Sequence, residues 1–447
     1  MNREAAIAAW LPGARWFAGK GGGPARVSIR DAVVLPGDSL EAVLIDVAHD
    51  GGGERYWLAL SGGEDVAGTP EFAGWLVRMV VAGGRIAGTS GAFRGHATPG
   101  AWAADGVVDV EPLGGDASNT SFRVAVGGRD YAVKLLRRCR PGIQPEVEIG
   151  EFLADIGWAG TPRLAGWLAY EPAVGDSTVL ATVHEFVAGC TTAWERLGTL
   201  VGNGGVQGPN HRPILDLIAA LGRTTAEMHR ALGSRTDIAA FAPEPPATDW
   251  AAAEADRMAA HAERTFATAR ARVTALPSGV ARDVGRLLDS EAAIVAMLRG
   301  LPQALASATL IRVHGDYHLG QVLVDTTGSR VLVIGFEGEP GRSLADRRRK
   351  TSVLKDVAGM CRSFDYCLRH AARSADAPYR PDDLAMLENT FLDAYGTVAR
   401  GHAWWPTGAD EALGVYRLDK AVYELAYELA NRPDWVVVPL AALLDRR

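Results

Sequence analysis

The run Arg312-Val313-His314-Gly315-Asp316-Tyr317-His318-Leu319-Gly320-Gln321-Val322-Leu323-Val324, followed by Val331-Leu332-Val333-Ile334-Gly335-Phe336-Glu337-Gly338-Glu339-Pro340, constrains this chain more than any other part of it. A His-Gly-Asp turn leads to a side-chain amide and then to two β-branched runs, the second ending in an acidic loop. That density of chemistry is unlike a plain connection. Phosphoryl transfer needs a carboxylate to orient the attacking hydroxyl and oxygen ligands to hold Mg²⁺ across nucleotide phosphates, all on stiff elements. Asp316 and Gln321 could supply those two parts.

With 447 residues the chain exceeds one ordinary core, which predicts two or three domains. Its 48% hydrophobic and 22% charged residues are those of a folded globular protein. A formal charge of −7 argues against a nucleic-acid surface, which draws on excess Lys and Arg. Cys139, Cys190, Cys361 and Cys367 are scattered without a zinc spacing and read as reduced interior residues. Neither a signal peptide nor a membrane span is visible, so a cytoplasmic enzyme with no membrane partner is expected.

Alternating apolar runs at 27–34, 42–47 and 56–60, separated by glycine-rich turns, predict a small sheet over the first hundred residues, with a helix over Pro70–Val81. From about 105 the pattern becomes that of a kinase small lobe. A strand, the polar turn Gly114-Gly115-Asp116-Ala117-Ser118-Asn119-Thr120-Ser121 and a second strand let backbone amides approach a triphosphate. Lys134, in Tyr-Ala-Val-Lys on the next strand, has the setting of the phosphate-binding kinase lysine, and the following helix offers Glu148 as its partner, with Glu146 and Glu151 as competitors. A strand ending at Glu185-Phe186-Val187 reads as a hinge whose backbone from Glu185 to Val187 would hydrogen-bond adenine. Beyond it the chain is mainly helical. His229 and Asp356 read as structural groups, Asp356 bracing the Asp316 loop. Near the end, Tyr423 and Tyr427, and Glu424 and Glu428, are each four apart and can share a helix face. Aromatic faces and carboxylates together suit a sugar.

His-Gly-Asp-Tyr-His-Leu-Gly-Gln-Val-Leu-Val resembles the catalytic loop of the aminoglycoside phosphotransferase-like kinases. Gly-Phe-Glu-Gly-Glu-Pro at 335–340, Trp-Leu-Pro-Gly-Ala-Arg-Trp-Phe-Ala-Gly-Lys-Gly at 10–21 and the segment Lys420–Pro439 resemble the maltokinase branch, including its N-terminal cap and its acceptor end. The resemblance implies an α+β, two-lobed, protein-kinase-like fold with a cap at 1–98, a nucleotide-binding small lobe at 99–188 and a helical catalytic and sugar-binding lobe at 189–447. It implies ATP and Mg²⁺, with Asp316 as the base and Gln321 as a metal ligand helped by Glu337. Lys134, Glu148, Ser118, Asn119, Thr120, Ser121, Glu185 and Val187 would serve the nucleotide. Arg312, His314 and Asp316, together with Tyr423, Glu424, Tyr427, Arg432 and Trp435, would serve the acceptor.

Two departures bear on function. Gly335 stands where the family has a metal-binding Asp, and a glycine has no side chain to offer a cation. The turn at 115–117 also differs from that of maltokinases. Glucosamine, phosphorylated at its 6-hydroxyl as in a related branch, is therefore placed ahead of maltose, with spare carboxylates such as Glu424 or Glu428 neutralising its ammonium. Maltose, giving maltose 1-phosphate, is the alternative. A catalytically silent nucleotide- or sugar-binding protein is the second, and under that reading Gly335→Asp would gain activity.

Overall fold

Val43, Ile45 and Val47 alternate along one strand with Ala42 and Leu44, and the two sets are buried in different cores. This is the first sheet of the computed structural model, which describes residues 3–17, 19, 26–36, 39–49, 52–100, 102–114, 119–202, 204–301, 305, 309–328 and 330–445. Helix α1 (Arg3–Trp10) precedes an antiparallel sheet of β1 (Arg26–Val34), β2 (Glu41–His49), β3 (Gly52–Ser61) and β4 (Glu64–Asp65). Ile7, Leu11, Trp16 and Phe17 cover one face of that sheet with Val43, Ile45 and Tyr56. The other face meets α2 (Pro70–Val81), which starts where Pro70 sets its first turn and Thr69 accepts the Phe72 N–H at 3.4 Å.

The second sheet has the order β5-β6-β10-β11-β9-β8-β7. Its strands are β5 (Arg85–Ala87), β6 (Gly91–Ala97), β7 (Asp109–Pro112), β8 (Thr120–Val126), β9 (Arg129–Leu135), β10 (Leu164–Pro172) and β11 (Thr178–Glu185), with α3 (Pro145–Asp155) before β10. Residues of the expected cap therefore lie within the small-lobe sheet: β6 pairs with β10, His96 opposite Trp167. After β9 the chain also runs back along β3. The Trp57 N–H donates to the Arg137 carbonyl at 3.1 Å, and the buried Arg137 guanidinium holds Asp65 at 2.8 Å and sits over the Trp16 ring. Residues 1–188 form one compact unit and 189–447 a second.

The second unit opens with β12 (Cys190–Thr192) and α4 (Ala193–Gly202), then α5 (His211–Leu232), α6 (Trp250–Arg272), α7 (Ser278–Asp289) and α8 (Glu291–Leu298). Helices α7 and α8 are separated by a break at Ser290. Next come β13 (Val322–Asp325) and β14 (Val331–Val333), which join β12 in a three-stranded antiparallel sheet. Helices α9 (Leu344–Arg348), α10 (Leu354–Ser374), α11 (Pro381–Ala399), α12 (Ala409–Asn431) and α13 (Val437–Leu444) complete the unit. Among the described residues no helix is long and apolar enough to cross a membrane.

Candidate active site

The Asp316 loop enters β13 and is held from below by α10. Asp356, in the first turn of α10 and 1% exposed, accepts the His314 N–H at 2.7 Å and the Gly315 N–H at 2.9 Å. It is also 3.1 Å from His229 Nε2 on α5, whose Nδ1 faces the Tyr395 hydroxyl at 2.8 Å. Burial would raise the Asp356 pKa, but His229, His314 and the Gly315 N–H outweigh it and hold it below the ordinary value. Two residues on, the Tyr317 hydroxyl meets Thr225 at 2.9 Å, and the Leu319 N–H donates to Ser363 Oγ at 3.1 Å. Helix and loop can come this close because residue 359 is glycine: a Cβ there would stand 2.4 Å from the Tyr317 carbonyl oxygen.

The loop around Asp316 is thus fixed from both sides of it. Asp316 Oδ1 accepts from Lys420 Nζ of α12 at 2.9 Å, and Oδ2 accepts no hydrogen bond among the described residues. Burial opposes ionisation of Asp316, yet the Lys420 ammonium prevails and holds the carboxyl well below the usual carboxylate range. His318 is kept neutral, its pKa near 4, chiefly by burial.

The other expected acceptor residues divide. Tyr423 presents its ring 4.6 Å from Lys420 Nζ, beside the Asp316 carboxylate. Arg312 is 1% exposed over the Phe241 ring, and His314 is committed to the loop, with Nε2 on the Ile334 carbonyl at 2.9 Å and Nδ1 accepting the Asp316 N–H. Both shape the site from within the core. Glu424 and Glu428 are not spare. Glu424 is paired with Arg362 at 2.7 Å, and Glu428 takes a two-pronged contact from Arg432 and the Tyr366 hydroxyl at 2.7 Å. Trp435 stacks on His370 and Tyr366 of α10, and Tyr427 lies under Arg432. Lys420, which donates to the Asp316 carboxylate, is not among the residues the sequence singles out. Its position three and four residues before Tyr423 and Glu424 was the available signal.

In the first unit, Lys134 of β9 lies opposite Thr182 of β11 and Ser121 of β8. Among the three helix carboxylates Glu146 is the buried one, at 5%, and lies 3.9 Å from His184 Nε2, while the charge of Lys134 adds to the burial that keeps His184 neutral, near a pKa of 4. Glu148 is half-buried. Ser118, with Gly115, Asp116 and Ala117, lies outside the described residues; Asn119 is buried, and the Thr120 hydroxyl accepts from Arg137 Nε at 2.9 Å. At the hinge the Glu185 N–H donates to the Arg163 carbonyl and the Phe186 N–H to that of Asp130, whereas the Val187 N–H has no backbone acceptor among the described residues.

The acidic loop is braced by cations of its own and neighbouring elements. Among the described residues no group of three or more His, Cys, Asp or Glu side chains is arranged to hold a metal. Glu339 is buried and neutralised by Arg342 and by Lys355 at 3.4 Å, and the Glu337 carbonyl accepts from Arg347. Gly335 has φ +75°, and a Cβ there would stand 2.2 Å from Gln321 Oε1. The Gln321 amide fills the space an Asp would use. Gly335→Asp is therefore expected to gain no turnover and to lose stability, about 1–2 kcal/mol from the left-handed backbone alone. ADP release and a thermal melt check this; increased turnover would refute it.

A carboxylate immobilised on a His-Gly-Asp loop, preceded in the chain by a lysine on a small-lobe sheet, defines a phosphotransferase. The chain belongs to the phosphotransferase enzyme family, whose model matches residues 109–338, and the maltokinase N-terminal cap domain matches residues 10–109. It is 27% identical over 348 residues to a glucosamine kinase of Mycolicibacterium smegmatis, covering 76% of this chain and 80% of that protein. Against a glucosamine kinase of Streptacidiphilus jiangxiensis the identity is 29% over 319 residues, 70% of this chain and 68% of the relative. Among solved structures, a glucosamine kinase in complex with glucosamine, ADP and inorganic phosphate aligns with a TM-score of 0.65 at 26% identity, covering 100% of this chain and 99% of that one.

Proposed function

We propose that this protein is an ATP-dependent sugar kinase whose acceptor is glucosamine, phosphorylated at the 6-hydroxyl. The observation that carries the reading is Asp316: a half-buried, ionised carboxylate on a fully braced loop, with one oxygen held by Lys420 and the other open. The full-length similarity to a kinase solved with glucosamine and ADP supports the choice of acceptor and nucleotide. In the reaction the sugar oxygen bonds to the γ-phosphorus as the bond to the bridging oxygen breaks. The hydroxyl proton passes to Asp316 Oδ2, and ADP leaves with the electron pair. Catalysis here is chiefly positioning and charge neutralisation. Lys134 would contact the nucleotide phosphates and the Val187 N–H the adenine. Gln321 and Glu337 would supply oxygens to Mg²⁺, which when bound would neutralise charge on the triphosphate.

ADP release measured with ATP and Mg²⁺ over glucosamine, glucose, N-acetylglucosamine, maltose and kanamycin tests this directly. Turnover on glucosamine is expected to exceed that on all the others. Preference for maltose would reassign the acceptor, in keeping with the maltokinase-type cap. No turnover with any of them would refute the reading.

A further inference from the structure

We propose that Lys420 is a positioning residue of the transfer reaction: it fixes Oδ1 of Asp316 so that Oδ2 alone is presented to the acceptor hydroxyl. This rests on the sugar-kinase reading and adds to it a residue on a different helix, more than a hundred positions along the chain.

The geometry around the pair is one-sided. The ammonium and carboxylate are 2.9 Å apart, and their side chains are 16% and 17% exposed. From the Asp316 loop come His314 and His318, both kept neutral chiefly by burial. From the acidic loop comes Glu339, a second anion acting on Lys420, itself neutralised by Arg342 and by Lys355 of α10. From α10 comes Asp356, bound to the loop backbone. From α12 itself comes Tyr423, whose ring lies 4.6 Å from Nζ. Lys420 is therefore the cation in contact with Asp316, and the charges of Asp316 and Glu339 hold it charged. Burial opposes that charge, but Asp316 and Glu339 outweigh it and push the Lys420 pKa up.

Two consequences follow for the chemistry. A carboxylate whose second oxygen is pinned cannot rotate away from the hydroxyl. A carboxylate so stabilised is also a weak base, suited to taking the proton late, once the phosphoryl group has largely moved across. Without the lysine the largest influence opposing burial would be gone, and the Asp316 pKa would rise. The base works only when ionised, so activity would then fall on acidification.

The test is the pH dependence of kcat/KM for glucosamine in the wild type, Lys420→Met and Lys420→Arg. Wild type is expected to show no loss attributable to Asp316 between about pH 8 and about pH 5.5. Lys420→Met should lose at least about tenfold more activity at the lower pH than at the higher. Lys420→Arg should restore the flat profile. A Lys420→Met profile parallel to wild type at all pH values would overturn the proposal, even if activity were uniformly reduced. Because that assay needs turnover, unfolding midpoints of Lys420→Met, Asp316→Asn and the double variant provide a check independent of substrate. The double variant should lose less than the sum of the single losses. Additive losses would overturn the pairing, whereas absent turnover with non-additive midpoints would count against the acceptor and not against the pairing.

Discussion

Asp316→Asn is expected to lower kcat by about 10²–10⁴-fold while leaving nucleotide affinity nearly unchanged. The substitution keeps the shape of the side chain, and Lys420 decides which way the new amide points. The ammonium can only donate, so it selects the amide oxygen at the Oδ1 position. The NH₂ group is then turned to the place where the hydroxyl proton must be accepted, and a donor faces a donor. The change thus reverses polarity at the reacting atom without opening a cavity. Steady-state ADP release gives the loss in kcat, and calorimetric titration with a non-hydrolysable nucleotide gives the affinity. Unchanged turnover would remove Asp316 from the role of base.

The second large effect is expected away from the reacting atoms. Asp356→Ala should abolish most turnover and lower stability by about 3–5 kcal/mol, as removal of one partner from a buried ionic cluster does. The His314 and Gly315 N–H groups and His229 Nε2 would all lose their acceptor in an interior site. The loop could then tilt, and a displacement of an ångström at the base is enough to slow such chemistry markedly. The same residue gives a pH signature. Its folded pKa is lowered, so its contribution to stability is present above the unfolded value of about 3.9 and is withdrawn as the pH falls towards the folded one. A thermal melt series on wild type and Asp356→Ala should converge in acid. An unaltered melting temperature at neutral pH would show that the loop does not depend on this anchor.

Much of this was legible because it is local. The helix expected over Pro70–Val81 has those bounds, since a proline start and a 3.6-residue period are both written in consecutive residues. Strand β10 was not anticipated, because it is buried on both faces and shows no alternation. The break between α7 and α8 is not written in the sequence either; nothing at Ser290 but a backbone turn marks it. In the site, Asp316 could be picked out from its own motif, and Asp356 from its place at the head of a helix. Lys420 could not be paired with Asp316 from spacing, since only the tertiary packing of α12 brings them together. The same holds for Glu424, whose arginine partner lies on α10, whereas Glu428 meets Arg432 four residues on, a spacing visible in the sequence.

The pairing of β6 with β10 gives the cap an unusual status. Families are often assembled by trading modules, and a segment recognised separately at residues 10–109 looks like one that could be added or removed. Here excision would strip β10 along its whole length, baring a row of unsatisfied amides and carbonyls next to Trp167 and Leu168. It would also take Asp65 and the Trp16 ring away from Arg137. A shortened chain would be prone to self-association through that bared strand. Mechanically, the cap is part of the wall of the neighbouring sheet.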